Sequence, residues 1–328
     1  MKLQILVPQY KETNEIIKPL LDSILIQQNI DFKNDIGVII VNDGSDVHLT
    51  KEFLNSYPFK IEYFLNEHKG VSGTRNACLD KATADYVMFC DADDMFYNSC
   101  GIWIIFQEIE HSHFDSMTSL FIEETRDSNT KKTIYINREM DSTFVHGKVH
   151  RLNYLKEQNI RWNDSLTIHE DSYFNILCQK LSNNVVYCPT PFYLWKWRDE
   201  SVCRRDFKYI LKTYNNLLDS NEALVDELLK RGKYELARMY CVGIIFDAYF
   251  TMNKNEWINQ ENIDYRNKTE LRFKKYFFKF KTLYESTPLA EKTQIVAGIK
   301  TRMFGEGLLM ESITFDTWIE HILKLEEK

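Results

Sequence analysis

Four short apolar runs, at residues 3–7, 36–41, 61–65 and 86–90, divide the first part of the chain, and a segment that reads as a helix fills each gap. The first such segment, 15–28, carries Ile16, Ile17, Leu20, Leu21, Ile24 and Leu25 at helical spacing. The other two are 49–56 and 71–82. Strands alternating with helices at this interval predict a parallel sheet covered by helices on both faces. In such sheets ligands bind outside the carboxyl ends of the strands. Polar clusters follow Val7, Val41 and Cys90, so those strand ends are the candidate ligand positions.

Farther along, 115–123 and 133–137 read as a pair of strands around the polar loop 125–132, and 169–179 reads as a helix. Residues 185–188 and 192–197 read as two further strands, divided by Pro189-Thr190-Pro191. From about residue 207 the pattern is helical: Ile210, Leu211, Tyr214, Leu217, Leu218, Leu224, Val225, Leu228 and Leu229, then 234–252, 271–284, 289–304 and 315–325. The expected organisation is an α/β domain at 1–205 and a mainly α-helical domain at 206–328, the latter serving acceptor binding or oligomerisation.

Hydrophobic residues at 44% and charged residues at 27% exclude a disordered chain. A net charge of −7 argues against general polyanion binding. The seven cysteines are scattered without a Cys-x-x-Cys pair, which argues against a zinc knuckle and for buried thiols in a reducing cytoplasm. No stretch approaches the roughly 18 apolar residues of a membrane helix. The expectation is a soluble cytoplasmic protein, with peripheral contact at the inner membrane surface left open.

The chemistry concentrates at Tyr86-Val87-Met88-Phe89-Cys90-Asp91-Ala92-Asp93-Asp94. The apolar part reads as a buried strand, and three carboxylates follow as it leaves the sheet. Like charges this close call for a compensating cation. Carboxylate oxygens suit Mg²⁺ or Mn²⁺, whose shell is commonly completed by substrate phosphates. An Asp-rich turn is the plain alternative. Asp43, in Asn42-Asp43-Gly44-Ser45, either accepts hydrogen bonds from a base or ribose or builds an Asx turn. Lys69-Gly70-Val71-Ser72-Gly73-Thr74-Arg75-Asn76 either brings backbone and Arg75 to an anion or simply starts a helix.

Taken in order, Pro8-Gln9-Tyr10, Asn42-Asp43-Gly44-Ser45, Gly70 to Asn76 and Asp91-Ala92-Asp93-Asp94 resemble the family 2 glycosyltransferases over residues 1–205. Gly147-Lys148-Val149-His150-Arg151, Ile160-Arg161-Trp162, His169-Glu170-Asp171-Ser172-Tyr173-Phe174 and Trp195-Lys196-Trp197-Arg198-Asp199-Glu200-Ser201-Val202 extend the match. The resemblance implies a GT-A fold, a mixed Rossmann-like sheet flanked by helices, and an inverting, metal-dependent transfer from a nucleotide-sugar, foremost a UDP-sugar. It places the catalytic base on Asp171. It assigns the donor to Pro8, Tyr10, Glu12, Asp43, Arg75, Asp91, Ala92, Asp93, Arg198 and Ser201. Asp94, Glu170 and Trp195 fall to the sugar or acceptor, and Asp93 with Asp91 to Mn²⁺ or Mg²⁺. One departure stands out: the closing loop 195–201 lacks the histidine that many relatives carry there. Either Asp199, Glu200 or water substitutes, or the protein contributes fewer ligands, so the third metal ligand is left open; His146, His150 and His169 read as isolated.

Residues 266–281 interleave basic and aromatic side chains, which suits an anionic polymer or a membrane surface as well as a solvated amphipathic helix. The acceptor classes are therefore a cell-surface polysaccharide or teichoic acid, a protein, or a hydroxylated DNA base as in phage-type transferases. A nucleotidyltransferase and a non-catalytic sugar-binding module are the rival readings. The first normally carries a Gly-rich basic loop after its first strand, and Val7-Pro8-Gln9-Tyr10 supplies none.

Overall fold

The four apolar runs form four neighbouring parallel strands. β1 (Leu3–Gln9) lies between β2 (Ile36–Asp43) and β4 (Tyr86–Phe89), and β3 (Lys60–Asn66) pairs with the outer edge of β2. β2 is buried along its whole length, as expected of an apolar strand inside a covered sheet. β3 is an edge strand, and Leu65 on it is exposed. The computed structural model describes residues 1–127, 129–139, 143–198, 207–254, 262–305 and 313–326, with side chains left undescribed at 207–212 and 302–305.

Beyond β4 the sheet becomes mixed, as the resemblance implies. β8 (Lys148–Arg151) runs antiparallel to β4, and β6 (Ser116–Arg126) runs antiparallel to β8. β9 (Val185–Trp195) is parallel to β6, and β5 (Met95–Phe96) is antiparallel to β9. β7 (Thr133–Arg138) forms a hairpin with the far half of β6. Among the described residues the order is β3-β2-β1-β4-β8-β6-β9-β5, with β7 on β6. Parallel partners require long crossovers, and the short connection from β6 to β7 permits only an antiparallel pair.

The two strands expected around Pro189-Thr190-Pro191 are one strand. β6 advances from Ser119 to Phe121 while β9 advances from Cys188 to Tyr193, so the prolines sit in a register shift. Prolines cannot donate to the ladder, and a bulge is where a sheet accepts them. Past the bulge β9 delivers Tyr193 and Trp195 toward the end of β4.

Helices cover the sheet. α1 (Asn14–Leu25) buries Ile17, Leu20, Leu21 and Ile24 against β-strand side chains such as Val7, Val38 and Ile40. Burial of each such side chain is worth roughly 1.5–3 kcal/mol. α2 (Lys51–Leu54), α4 (Gly101–Ser112) and α5 (Leu152–Glu157) complete the layers. α3 (Gly70–Lys81) is different: it buries Ser72, Thr74, Arg75 and Asn76. Polar burial needs partners; Thr74 bonds back to the Gly70 carbonyl, and Ser72 and Asn76 find theirs in the 162–166 loop. Ser72 Oγ donates to the Leu166 carbonyl at 2.9 Å, and Asn76 Nδ2 donates to the Trp162 carbonyl at 2.9 Å and to Asp164 Oδ1 at 2.7 Å. Those bonds hold the loop leading into α6 (Glu170–Lys180).

The chain divides into two compact units, Met1–Ser201 and Val202–Lys328. The second holds α7 (Phe207–Lys230), α8 (Tyr234–Met252), α9 (Ile263–Glu285), α10 (Leu289–Gly305) and α11 (Phe315–Lys324). Residues 266–281 lie on α9, whose Phe273, Tyr276, Phe277 and Phe280 are buried. Arg272 pairs with Asp219 and Glu222 of α7, and Lys279 pairs with Glu222 and Asp226. The aromatic face thus packs inward and those two cations are matched by α7, so this helix offers no support for a DNA acceptor. Among the described residues no helix is long and apolar enough to cross a membrane.

Candidate active site

The carboxyl ends of β1 and β2 meet the loop before α3. The Asx turn expected of Asp43 is made by its neighbour: Asn42 Oδ1 accepts from the Ser45 N–H at 2.7 Å. Asp43 is left free of the turn and is buried. Its Oδ1 accepts from the Lys69 N–H at 2.7 Å, and its Oδ2 lies 2.9 Å from His68 Nδ1. His68 in turn lies 5.0 Å, centroid to centroid, from the exposed ring of Tyr10. Tyr10, His68 and Asp43 therefore form an aromatic shelf with a carboxylate at its back. His68 is a residue that motif reading passed over, because its role appears only when Gly44 brings β2 against it.

Pro8 is half-buried at the end of β1. Glu12 is fixed by the Tyr10 N–H, which donates to its Oε2 at 2.6 Å. Burial raises the Glu12 carboxyl above its ordinary value, against the pull of that N–H, and nearby Asp93 adds to the rise. Across from it Arg198 Nη1 lies 3.6 Å from Glu12 Oε1 and 2.9 Å from Asp93 Oδ2. Ser201, also assigned to the donor, lies outside the described residues, as do Asp199 and Glu200.

The three carboxylates after β4 separate. Asp91 and Asp93 keep 33% and 26% of their side-chain surface exposed, whereas Asp94 keeps 2%. Asp94, expected to face the sugar or acceptor, is the buried one of the three. Its Oδ2 accepts from the Tyr193 hydroxyl at 2.5 Å and its Oδ1 from the Lys196 N–H at 2.9 Å, so it ties β9 to the end of β4. Burial, with Asp93 and Asp91 nearby, pushes its carboxyl well above the usual range. Ala92 packs in the core, which leaves its main chain as the part available to a ligand. Trp195 is half-buried and stacks on His146 at 4.9 Å.

Arg75 joins the two halves of the site. Its Nη2 donates to Asp91 Oδ1 at 3.0 Å and its Nη1 to Glu170 Oε1 at 2.8 Å, while the guanidinium lies 4.5 Å over the Trp162 ring. Burial would favour the neutral form, but Asp91, Glu170 and Asp171 hold the guanidinium's pKa above its ordinary value. Glu170 is thereby fixed by Arg75. Asp171, its neighbour at the start of α6, accepts from the Ser172 N–H at 2.8 Å. Burial and the Glu170 charge push Asp171 up to about 7, against Arg75, the Ser172 N–H and Lys148. His169 precedes α6 with φ +63°, a left-handed conformation that costs a non-glycine residue energy and is found at functional sites. Burial lowers the pKa of its ring. His150 is structural: it is buried against Ser116 Oγ at 3.1 Å, and burial takes its pKa down to about 3.

Two sets of groups suit a divalent cation. Asp91 and Asp93, the expected pair, present partly exposed carboxylates on one turn. Asp91, Asp94 and His146 each offer a ligand atom within 4.8 Å of one another. Carboxylate oxygens are the donors that Mg²⁺ and Mn²⁺ prefer, so the donor chemistry fits such an ion. His146, on the segment before β8, is brought here by folding alone; its Nδ1 lies 3.8 Å from Asp94 Oδ2.

With this geometry in hand, the likeness to known proteins is informative. The family model described as "Glycosyl transferase family 2" matches residues 4–161. "Glycosyltransferase GlyA" of Streptococcus pneumoniae is 27% identical over 228 residues, 62% of this chain and 32% of that protein. "Minor teichoic acid biosynthesis protein GgaA" of Bacillus subtilis is 25% identical over 261 residues, 74% of this chain and 57% of that protein. The match thus spans about a third of one and somewhat over half of the other. "Poly(ribitol-phosphate) beta-N-acetylglucosaminyltransferase TarS" of Staphylococcus aureus is 25% identical over 197 residues, 56% of this chain and 34% of that protein. The crystal structure of TarS 1–349 in complex with UDP-GlcNAc superposes with a TM-score of 0.61 at 16% identity, covering 94% of this chain and 92% of that one.

Proposed function

We propose that this chain, whose residues 4–161 match glycosyl transferase family 2 and whose sheet and helices have the GT-A fold, is a glycosyltransferase that moves a sugar from UDP to a hydroxyl of a teichoic acid or related cell-surface polymer, with inversion. One observation carries the mechanism. Arg75 contacts both Asp91 at the end of β4 and Glu170 beside Asp171, so donor-side and acceptor-side carboxylates share a single buried cation.

Asp171 takes the proton from the acceptor hydroxyl as that oxygen attacks the anomeric carbon. The bond from that carbon to the diphosphate oxygen breaks, and the nucleoside diphosphate leaves with the electron pair. One displacement from the opposite face inverts the centre. A carboxyl pushed up to about 7 suits this task, since it is ionised at mildly alkaline pH and still basic enough to hold the proton. Tyr10 and His68 give the base a surface to stack on, and Asp43 behind them accepts from a uracil N–H. Arg198 supplies a cation for the departing diphosphate. Asp91 and Asp93 would hold Mn²⁺ or Mg²⁺, which when bound neutralises charge on the phosphates.

UDP as carrier is supported by the TarS complex with UDP-GlcNAc, and a teichoic acid acceptor by the names of GgaA and TarS. The test is release of free nucleotide from UDP-, GDP- and TDP-sugars with Mn²⁺, with and without poly(ribitol phosphate) or poly(glycerol phosphate). The expected result is turnover of a UDP-sugar that a polyol-phosphate polymer accelerates at least tenfold. Faster turnover of GDP- or TDP-sugars would overturn the donor assignment. UDP-sugar turnover indifferent to every such polymer would overturn the acceptor.

A further inference from the structure

We propose that Glu12, from the loop after β1, is a ligand of the divalent cation together with Asp93, and that Arg198 stands in for that ion until the donor arrives. The inference rests on the metal-dependent reading above and adds a ligand to it. A single nitrogen, Arg198 Nη1, lies between Asp93 Oδ2 at 2.9 Å and Glu12 Oε1 at 3.6 Å. Two carboxylates from different strand ends thus converge on one cationic atom. Asp94 has both oxygens engaged, by Tyr193 and the Lys196 N–H, while Asp91 gives Oδ1 to Arg75. Glu12 is also preorganised. The Tyr10 N–H holds its second oxygen, and Gln9 Nε2 donates to its main-chain carbonyl at 2.8 Å, so only Oε1 faces Arg198.

The occupant is the movable partner. Arg198 keeps 36% of its side chain exposed, against 16% for Glu12 and 26% for Asp93. A divalent ion binds carboxylate oxygens at about 2.1 Å, so Glu12 and Asp93 would close onto it more tightly than onto a guanidinium. Arg198 is then released toward the diphosphate, where a planar two-pronged donor matches phosphate oxygens. Metal and donor would bind together, each lowering the cost of moving Arg198.

The test is direct measurement of Mn²⁺ binding to the full chain, by electron paramagnetic resonance of the free ion, with and without UDP. In the wild type, UDP should tighten Mn²⁺ binding at least tenfold. Arg198→Gln should bind Mn²⁺ at least tenfold more tightly than the wild type when UDP is absent. Glu12→Gln should weaken Mn²⁺ binding about tenfold with UDP present, and the double variant should lose the gain made by Arg198→Gln. Thermal melts of each variant exclude unfolding as the cause. Unchanged affinity without UDP in Arg198→Gln overturns the stand-in role, and unchanged affinity in Glu12→Gln overturns the ligand. Absence of Mn²⁺ binding to the wild type even with UDP would instead overturn the metal-dependent reading itself, and this inference with it.

Discussion

As the proposed base, Asp171 should carry opposite pH signatures for activity and stability. Its carboxyl stands at about 7 in the folded protein because burial and Glu170 outweigh Arg75, the Ser172 N–H and Lys148. In an unfolded chain the same group titrates near ~3.9. Between these values the unfolded state has lost a proton that the folded state keeps, so stability falls as pH rises through that window and is level above it. With Asp171 as the proposed base, activity should run the other way, rising toward pH 7 as the carboxylate forms. Asp171→Asn should therefore cut the transfer rate by about 10²–10⁴-fold. Its melting temperature relative to wild type should also be higher at pH 8 than at pH 4.5. Nucleotide release and melts at the two pH values check both arms; near-normal turnover in the variant would remove the base assignment. The other acids show how far single residues were legible. The run Asp91 to Asp94 was plain as a charged strand end, but three identical side chains could not be ranked by pattern. What separates Asp94 is the hydroxyl of Tyr193, a residue far along the chain. His68 and His146 were hidden for the same reason, since their neighbours Asp43 and Asp94 reach them only through the fold.

At the scale of elements, the joint between β2 and the loop before α3 decides where Asp43, the group proposed to bind the base, sits. Gly44 has φ +70°, and a Cβ there would lie 2.5 Å from the His68 backbone nitrogen. An alanine must therefore both adopt a left-handed conformation and push that loop away, at a cost of about 1–3 kcal/mol. His68 and the Lys69 N–H are the groups that hold Asp43, so the displacement also reaches the proposed donor pocket. Gly44→Ala is expected to lower the melting temperature by several degrees and weaken UDP binding at least fivefold by calorimetry. A variant that melts early yet binds UDP normally would show that the joint is structural alone. The parallel half of the sheet was legible because apolar runs and amphipathic helices repeat there at regular intervals. β8 and β5 are short, at Lys148–Arg151 and Met95–Phe96, and carry no alternation long enough to read. The two prolines of β9 look like a break in the sequence, whereas a bulge absorbs them within one strand.

At the scale of the molecule, every described residue assigned to donor or base lies in the Met1–Ser201 unit, from Pro8 to Arg198. The helices of the other unit were legible from their long apolar periodicities, and α9 shows why its basic stretch is a poor guide to a partner. Arg272 and Lys279 are paired with three acids of α7, so charge that looks free in sequence is matched in the fold. Exposed pairs of this kind add little stability, roughly 0–1 kcal/mol each, but they lower the helix's attraction for a polyanion. On the proposed assignment, donor recognition belongs to the first unit and can be tested apart from acceptor recognition. A fragment of residues 1–205 contains Tyr10, His68, Asp43 and Arg75 together with the sheet that positions them, so it should bind UDP within about threefold of the full chain. If the helical unit serves the acceptor, the same fragment should hydrolyse the UDP-sugar slowly but lose at least tenfold in transfer to the polymer. Calorimetry with UDP and polymer-stimulated turnover, run on fragment and full chain side by side, separate the two functions. Equal stimulation by polymer in both would place acceptor binding wholly within the first unit and leave the helices to another task.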